Sequence, residues 1–198
     1  DSAAASDVAS IAVTTQPTKT EYAIGDALDL SGMAKLEKLD VSGCGKLQSL
    51  KLAGCSALTQ LDASSCALTV LDLTDCSALK TVACSYNALT ALDVSAAEKL
   101  TTLECSANRL TALDLSGHKE LKVLTCSLNA LTKLDLTGCT ALESLDCSGN
   151  ALTALDLSYN GALESLSVND NPLTELNLHP LSNLQKLSCS AMKLKKLD

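Results

Sequence analysis

The chain has 198 residues, 46% of them hydrophobic, which is enough for one sizeable core. There is no Phe and no Trp, and only three Tyr, so that core is aliphatic. A net charge of −8 repels phosphate backbones and anionic lipid. No apolar run reaches the ~20 residues of a membrane helix, which argues against membrane insertion.

The first segment, DSAAASD, is small and polar and carries no apolar targeting core. Residues 1–10 read as a disordered tether. This looks like the mature end of an exported protein, destined for the cell surface, periplasm or medium, with a lipid anchor as one mode of attachment. Residues 11–24 do not follow the pattern of the rest. From Pro17 to Asp26 they read P-x-K-x-x-Y-x-x-G-D. That stretch resembles the opening strands of bacterial immunoglobulin-like domains, with the rest of such a domain missing. It is therefore expected as a β cap on the first coil. From residue 25 the chain enters a repeat that continues to residue 198.

Sixteen leucines mark that repeat at steps of 10 or 11 residues. One set runs Leu36, Leu58, Leu79, Leu100, Leu121, Leu142, Leu163, Leu184; the other runs Leu47, Leu68, Leu89, Leu110, Leu131, Leu152, Leu173, Leu194. Apart from one gap of 22, alternate leucines are 21 apart, a period that signals a solenoid. Each turn thus has a first half and a second half, numbered here from its leucine as position 0. Apolar residues fall at positions 0, 3 and 5, and a polar residue stands between 3 and 5, as in a strand. Neither half carries a helical stripe, so extended structure is expected on both faces.

The pattern L-x-x-L-x-(L/C)-x-x-(N/C)-x-L resembles that of leucine-rich repeats, specifically a bacterial class with 21-residue turns. The resemblance implies a mostly β, right-handed solenoid of about eight turns, with parallel strands on both faces and little helix. It also implies that Asn87, Asn108, Asn129, Asn150 and Asn171 at position 8 turn inward and bond to backbone. Surface and adhesin-like proteins with this pattern bind protein partners, and the same role is expected here.

The ten cysteines all occupy position 5 or position 8, so they read as buried free thiols. Stacked disulfides Cys44–Cys66 or Cys55–Cys76 are the alternative, disfavoured by parallel Cβ vectors. No CxxC pair or Cys–His spacing suits zinc. The second halves stack Asp72, Asp93, Asp114, Asp135 and Asp156 at position 4. These are read as a structural lattice with Thr and Ser neighbours, against a calcium-binding face. His118 and His179 have no nucleophile in register, and no GxSxG elbow occurs. No catalytic residue, metal site or cofactor is expected.

The first-half face is small and hydrophilic, with Ser at position 6 of nearly every turn. The side chains that depart from this monotony are the candidate ligand-binding residues: Tyr86, Thr102, Glu104, Val123, Thr125, Leu128 and Asp146. The expected function is a non-enzymatic recognition or adhesion module for a protein partner. The alternatives are a structural spacer and a carbohydrate- or calcium-binding surface protein; nucleic acid is not expected. The last coil carries Met192 and Leu194 with no cap sequence, which makes end-to-end self-association through it an expectation.

Overall fold

A computed structural model describes residues 10–12, 25–193 and 195–197. Of the tether and cap segments it describes only Ser10–Ala12. The immunoglobulin-like stretch lies outside the described residues up to Gly25. The described chain is a β-solenoid of about eight turns, and it contains no helix. A nine-stranded parallel sheet runs along the first halves. Its order is β1 (Ser10–Ala12), β3 (Lys38–Asp40), β5 (Gln60–Asp62), β7 (Thr81–Ala83), β8 (Thr102–Glu104), β9 (Val123–Thr125), β10 (Ser144–Asp146), β11 (Ser165–Ser167) and β13 (Lys186–Ser188). Each first-half strand from β3 is the three-residue segment at positions 2 to 4, with its central residue inward. Leu103 in β8 and Leu124 in β9 are fully buried. β1 pairs in register with β3 and so covers the first-half edge of the first coil.

The two faces are not equivalent. In the second halves, β2 (Ala27–Asp29), β4 (Ser49–Lys51) and β6 (Val70–Asp72) form one short sheet, and β12 (Glu175–Leu176) and β14 (Lys196–Leu197) another. Between them the described chain is extended but forms no ladder. The break coincides with the run of aspartates at position 4, but two opposed aspartates do not open a ladder by themselves, since Asp40 and Asp62 face each other in the closed first-half sheet. Where the ladder exists, Lys51 stands in register between Asp29 and Asp72. Where it is absent, the column runs Asp72, Asp93, Asp114, Asp135 and Asp156. Like charges directly opposed across strands are destabilising. The turns part along this column, and a crevice of about 590 Å³ opens between the Asp72 and Asp93 turns.

Each of these aspartates closes its own turn. Asp93 Oδ1 accepts the Ser95 N–H at 2.9 Å, Asp135 Oδ1 that of Thr137 at 2.9 Å, and Asp156 Oδ1 that of Ser158 at 2.9 Å. The Ser or Thr hydroxyl and backbone N–H together hold the carboxyls of Asp72, Asp93, Asp135 and Asp156 below their ordinary range. The lattice expected from the sequence is therefore within turns rather than between them, an Asx-turn at each corner. Among the described residues no three His, Cys, Asp or Glu side chains are placed to hold a metal.

The coils are tied to one another at position 8. Asn150 Nδ2 donates back 24 residues to the Cys126 carbonyl at 3.0 Å, and also to the Cys147 carbonyl at 3.0 Å. Its Oδ1 accepts the Leu131 N–H at 3.0 Å. Asn87, Asn108, Asn129 and Asn171 repeat this set of bonds. Second halves use the same slot with other donors. Cys55 and Cys76 donate Sγ–H to Leu30 and Leu52 carbonyls at 3.2 Å, Asn160 Nδ2 to Leu136 at 3.1 Å, and His118 Nε2 stands 3.2 Å from the Val94 carbonyl.

One residue of chain length decides which side chain fits. A half that closes in 11 residues satisfies the N–H of its next leucine with its own carbonyl, as Leu121 N does with His118 O at 3.2 Å. A half that closes in 10 leaves that N–H unpaired, and the next turn must supply an acceptor as well as a donor. Asn does both. Cys and His appear where only a donor is required. The Asn160 Oδ1 and His118 Nδ1 atoms, which have no partner, show the surplus acceptor in such slots.

All ten cysteines are free thiols, and eight are buried. Burial pushes Cys105 and Cys147 up to about 12 and Cys76 and Cys139 up to about 11. Cys84, Cys105, Cys126 and Cys147 stack in one buried column at position 5, continued by Val168. Position 7 of the first halves is left-handed throughout turns two to eight, at Ser65, Tyr86, Ala107, Leu128, Gly149, Asp170 and Ala191.

Two consequences are measurable. Replacing Asn150 by Ala strands the Leu131 N–H and the Cys126 carbonyl in the interior, and should cost about 2–4 kcal/mol in denaturant unfolding. Asn150→Cys keeps the donor and should lose less. The buried thiols also make the fold alkali-sensitive. Their folded pKa values are raised above the unfolded ~8.5, so their stabilising contribution is complete below pH ~8.5. It is lost progressively as pH rises toward 11–12. Chemical unfolding between pH 7 and 10.5 should show a falling midpoint, with a limiting slope of about 1.4 kcal/mol per pH unit for each thiol.

Candidate functional site

The nine-stranded face is the one continuous surface the fold provides. At its centre the register sets Thr102 beside Val123 and Glu104 beside Thr125. One strand further, Thr125 stands beside Asp146. Five of the sequence-derived candidates are therefore neighbours on β8, β9 and β10. Glu104 is exposed and the other four are half-buried, being flanked on both sides by the next turn.

Tyr86 and Leu128 are elsewhere. Both lie at position 7, past the strand end, on the rim where the first half turns toward the second. They are among the few large apolar side chains exposed to solvent, at 64% and 59%. Ala107 stands between them in the column. On the far side of Leu128 is Gly149, where a Cβ would come within 2.8 Å of Leu128 Cδ2. The missing side chain at Gly149 makes room for Leu128.

The serine column bordering the sheet is largely occupied with holding the turns together. Ser127 donates its hydroxyl to Ser106 Oγ at 3.0 Å, and Ser106 N–H donates to Ser85 Oγ at 3.1 Å. Ser148 and Ser167 hydroxyls meet at 2.8 Å, and Asn169 carries the chain of bonds on to Ser188 and Ser190. At the opposite border Lys122 and Glu143 form an exposed ion pair at 2.8 Å, which solvent screens so that it adds little to stability. Nothing in these contacts activates a hydroxyl or pairs two carboxylates for proton transfer.

One residue with a claim on this region escaped the sequence reading. Arg109 is the single arginine in the sequence. It sits at position 9, two residues beyond Ala107, exposed on the same rim and in the turn between those of Tyr86 and Leu128. Its backbone N–H is bonded to the Leu89 carbonyl at 2.9 Å, which seats it on the preceding coil. The signal available was the residue type alone: the one arginine among the 15 Lys and Arg residues.

No protein-family model matches the chain, and no curated protein does. Solved structures do. The functional domain of InlJ from Listeria monocytogenes, described as including a cysteine ladder, is 25% identical with a TM-score of 0.65 over 87% of this chain and 55% of its own. A leucine-rich-repeat protein of Leptospira interrogans is 21% identical, TM-score 0.58, over 84% of this chain and 63% of that one. TLR13, solved in complex with ssRNA13, is 25% identical, TM-score 0.57, over 84% of this chain and 26% of that one. The chain thus spans little more than half the length of the InlJ domain. What it shares with these proteins is the leucine-rich-repeat solenoid fold.

Proposed function

We propose that this chain is the recognition module of an exported bacterial protein, non-enzymatic, and that it docks a protein partner on its first-half face. The observation that carries this reading is the clustering of Thr102, Glu104, Val123, Thr125 and Asp146 on three adjacent strands of an otherwise uniform face. Two features support it. Val123 is the one apolar residue in the position-2 column, and Glu104, Thr125 and Asp146 stand beside one another at position 4. The fold is also shared with the InlJ functional domain and with TLR13, which was solved as a complex.

TLR13 is solved with RNA, and the charge of the present chain speaks against carrying that ligand over. With a net charge of −8 and one arginine, it lacks the run of cations that neutralises a phosphate backbone. Among the described residues no helix is long and apolar enough to cross a membrane. The domain reading proposed with export is residues 1–10 as a tether, 11–24 as an immunoglobulin-like β cap and 25–198 as the solenoid. A spacer without a ligand is the competing role, and the interlocked serine column would serve it equally well.

A crosslinking capture from host-cell surface extract distinguishes the two roles. Val123→Asp places a charge at the centre of the face without touching the core and should reduce capture at least tenfold. Ala154→Asp, on the second-half face, should leave capture unchanged. Capture insensitive to Val123→Asp would remove the first-half face as the docking surface. No capture by the unaltered chain, with the fold intact by circular dichroism, would favour the spacer.

A further inference from the structure

The rim formed by Tyr86, Arg109 and Leu128 carries a second, sharper assignment, which rests on the reading of the chain as a protein-docking module. Three observations converge there. First, Tyr86 and Leu128 have φ of 58° and 55°. Large side chains rarely adopt that region, and it is strained for them. The same position holds Gly, Ser, Ala or Asp in the other turns, so the fold itself asks for a small residue.

Second, both side chains are more than half exposed, so they contribute little to the core in exchange for that strain. They stand two turns apart, about 10 Å at the usual strand spacing, with the small Ala107 leaving a notch between them. Third, the turn that carries the notch also carries Arg109. Among the described residues its guanidinium has no hydrogen-bond or ion-pair partner. A tyrosine, an arginine and a leucine around a notch form the type of anchor that dominates protein-interface energetics through its Tyr and Arg.

We propose that this rim is the anchoring site for an extended segment of a partner protein, and that the segment places one acidic side chain on Arg109 between apolar side chains packed on Tyr86 and Leu128. The occupant follows from charge and shape together. A planar guanidinium recognises a carboxylate bidentately. An extended segment presents side chains on one face every ~6.6–7 Å, so an apolar residue two positions to each side of the carboxylate reaches the flanking side chains. The acidic remainder of the surface, at a net charge of −8, favours a single carboxylate over an acidic run or a polyphosphate.

The single arginine makes the test clean, because the ¹⁵N–¹H spectrum holds one arginine Nε–Hε peak. The probe is the peptide acetyl-Leu-Ala-Glu-Ala-Leu-amide, compared with versions carrying Gln or phosphoserine in place of Glu. The expected result is a saturable shift of that peak and of the Ala88, Ala107 and Ala130 amides at millimolar Glu peptide, at least tenfold weaker with Gln. Arg109→Gln should abolish the response. Tyr86→Gly and Leu128→Gly should each weaken it at least fivefold. Because glycine relieves the left-handed strain, their Tm should hold or rise by about 2–4 °C.

Four outcomes overturn the assignment. The arginine peak could stay still up to about 10 mM peptide, shift equally with Gln, or respond to phosphoserine but not Glu. In the last case the notch is a phosphate site. A sharp fall in Tm in the glycine variants would also overturn it, by making the two side chains structural. Val123→Asp separates this failure from failure of the docking face. If Val123→Asp loses the captured partner while the rim stays silent, the face stands and the rim assignment falls.

Discussion

Most coils of this protein are joined by a bond reaching back one turn from position 8, with Ala97, Leu181 and Met192 filling that slot by packing alone. The corner of each half leaves a carbonyl at position 5 of the preceding turn facing the interior, where an unpaired polar group is costly. In most coils a side chain with an N–H or S–H arrives there from the next coil, about 24 residues along the chain, as Asn108 reaches Cys84 at 2.9 Å. The coils are therefore joined by side-chain bonds at the corners as well as by the strand ladder. This is why a polar residue persists in an otherwise aliphatic interior. It also explains why asparagine, cysteine and histidine interchange there.

The same grammar leaves the two faces free to differ. First halves carry serine at their outer border and can pair at every step. Second halves carry aspartate, which each turn needs for its own corner, as Asp93 does for Ser95. Where Lys51 interrupts the column the ladder closes, and where five aspartates follow one another it opens. Position 7 shows a tension. The corner calls for a residue tolerant of positive φ, yet Tyr86 and Leu128 occupy it. Departures of this kind, exposed and unrewarded within the fold, direct attention to the rim beside the sheet rather than to the sheet alone.

Much of the candidate site could be read before the structure was known. Val123 breaks the polar monotony of its column, and the 21-residue period alone places Val123 and Thr125 beside Thr102, Glu104 and Asp146. The rim was harder. Arg109 lies at position 9, outside the columns that the strand pattern defines, so nothing in the periodicity relates it to Tyr86 or Leu128. Their common position appears only once the corner is seen to project positions 7 and 9 outward on either side of the inward asparagine.

The sequence by itself determined the number of turns, the inward positions and the burial of the cysteines. These follow from a strict period, and a period survives translation into three dimensions. Tertiary structure alone decided where the second-half ladder closes, which corners need an acceptor as well as a donor, and which exposed residues share an edge. Each of these depends on what stands opposite a residue one coil away. A difference of one residue in the length of a half, or of one charge in a column, changes that partner while leaving the local pattern of hydrophobic positions untouched.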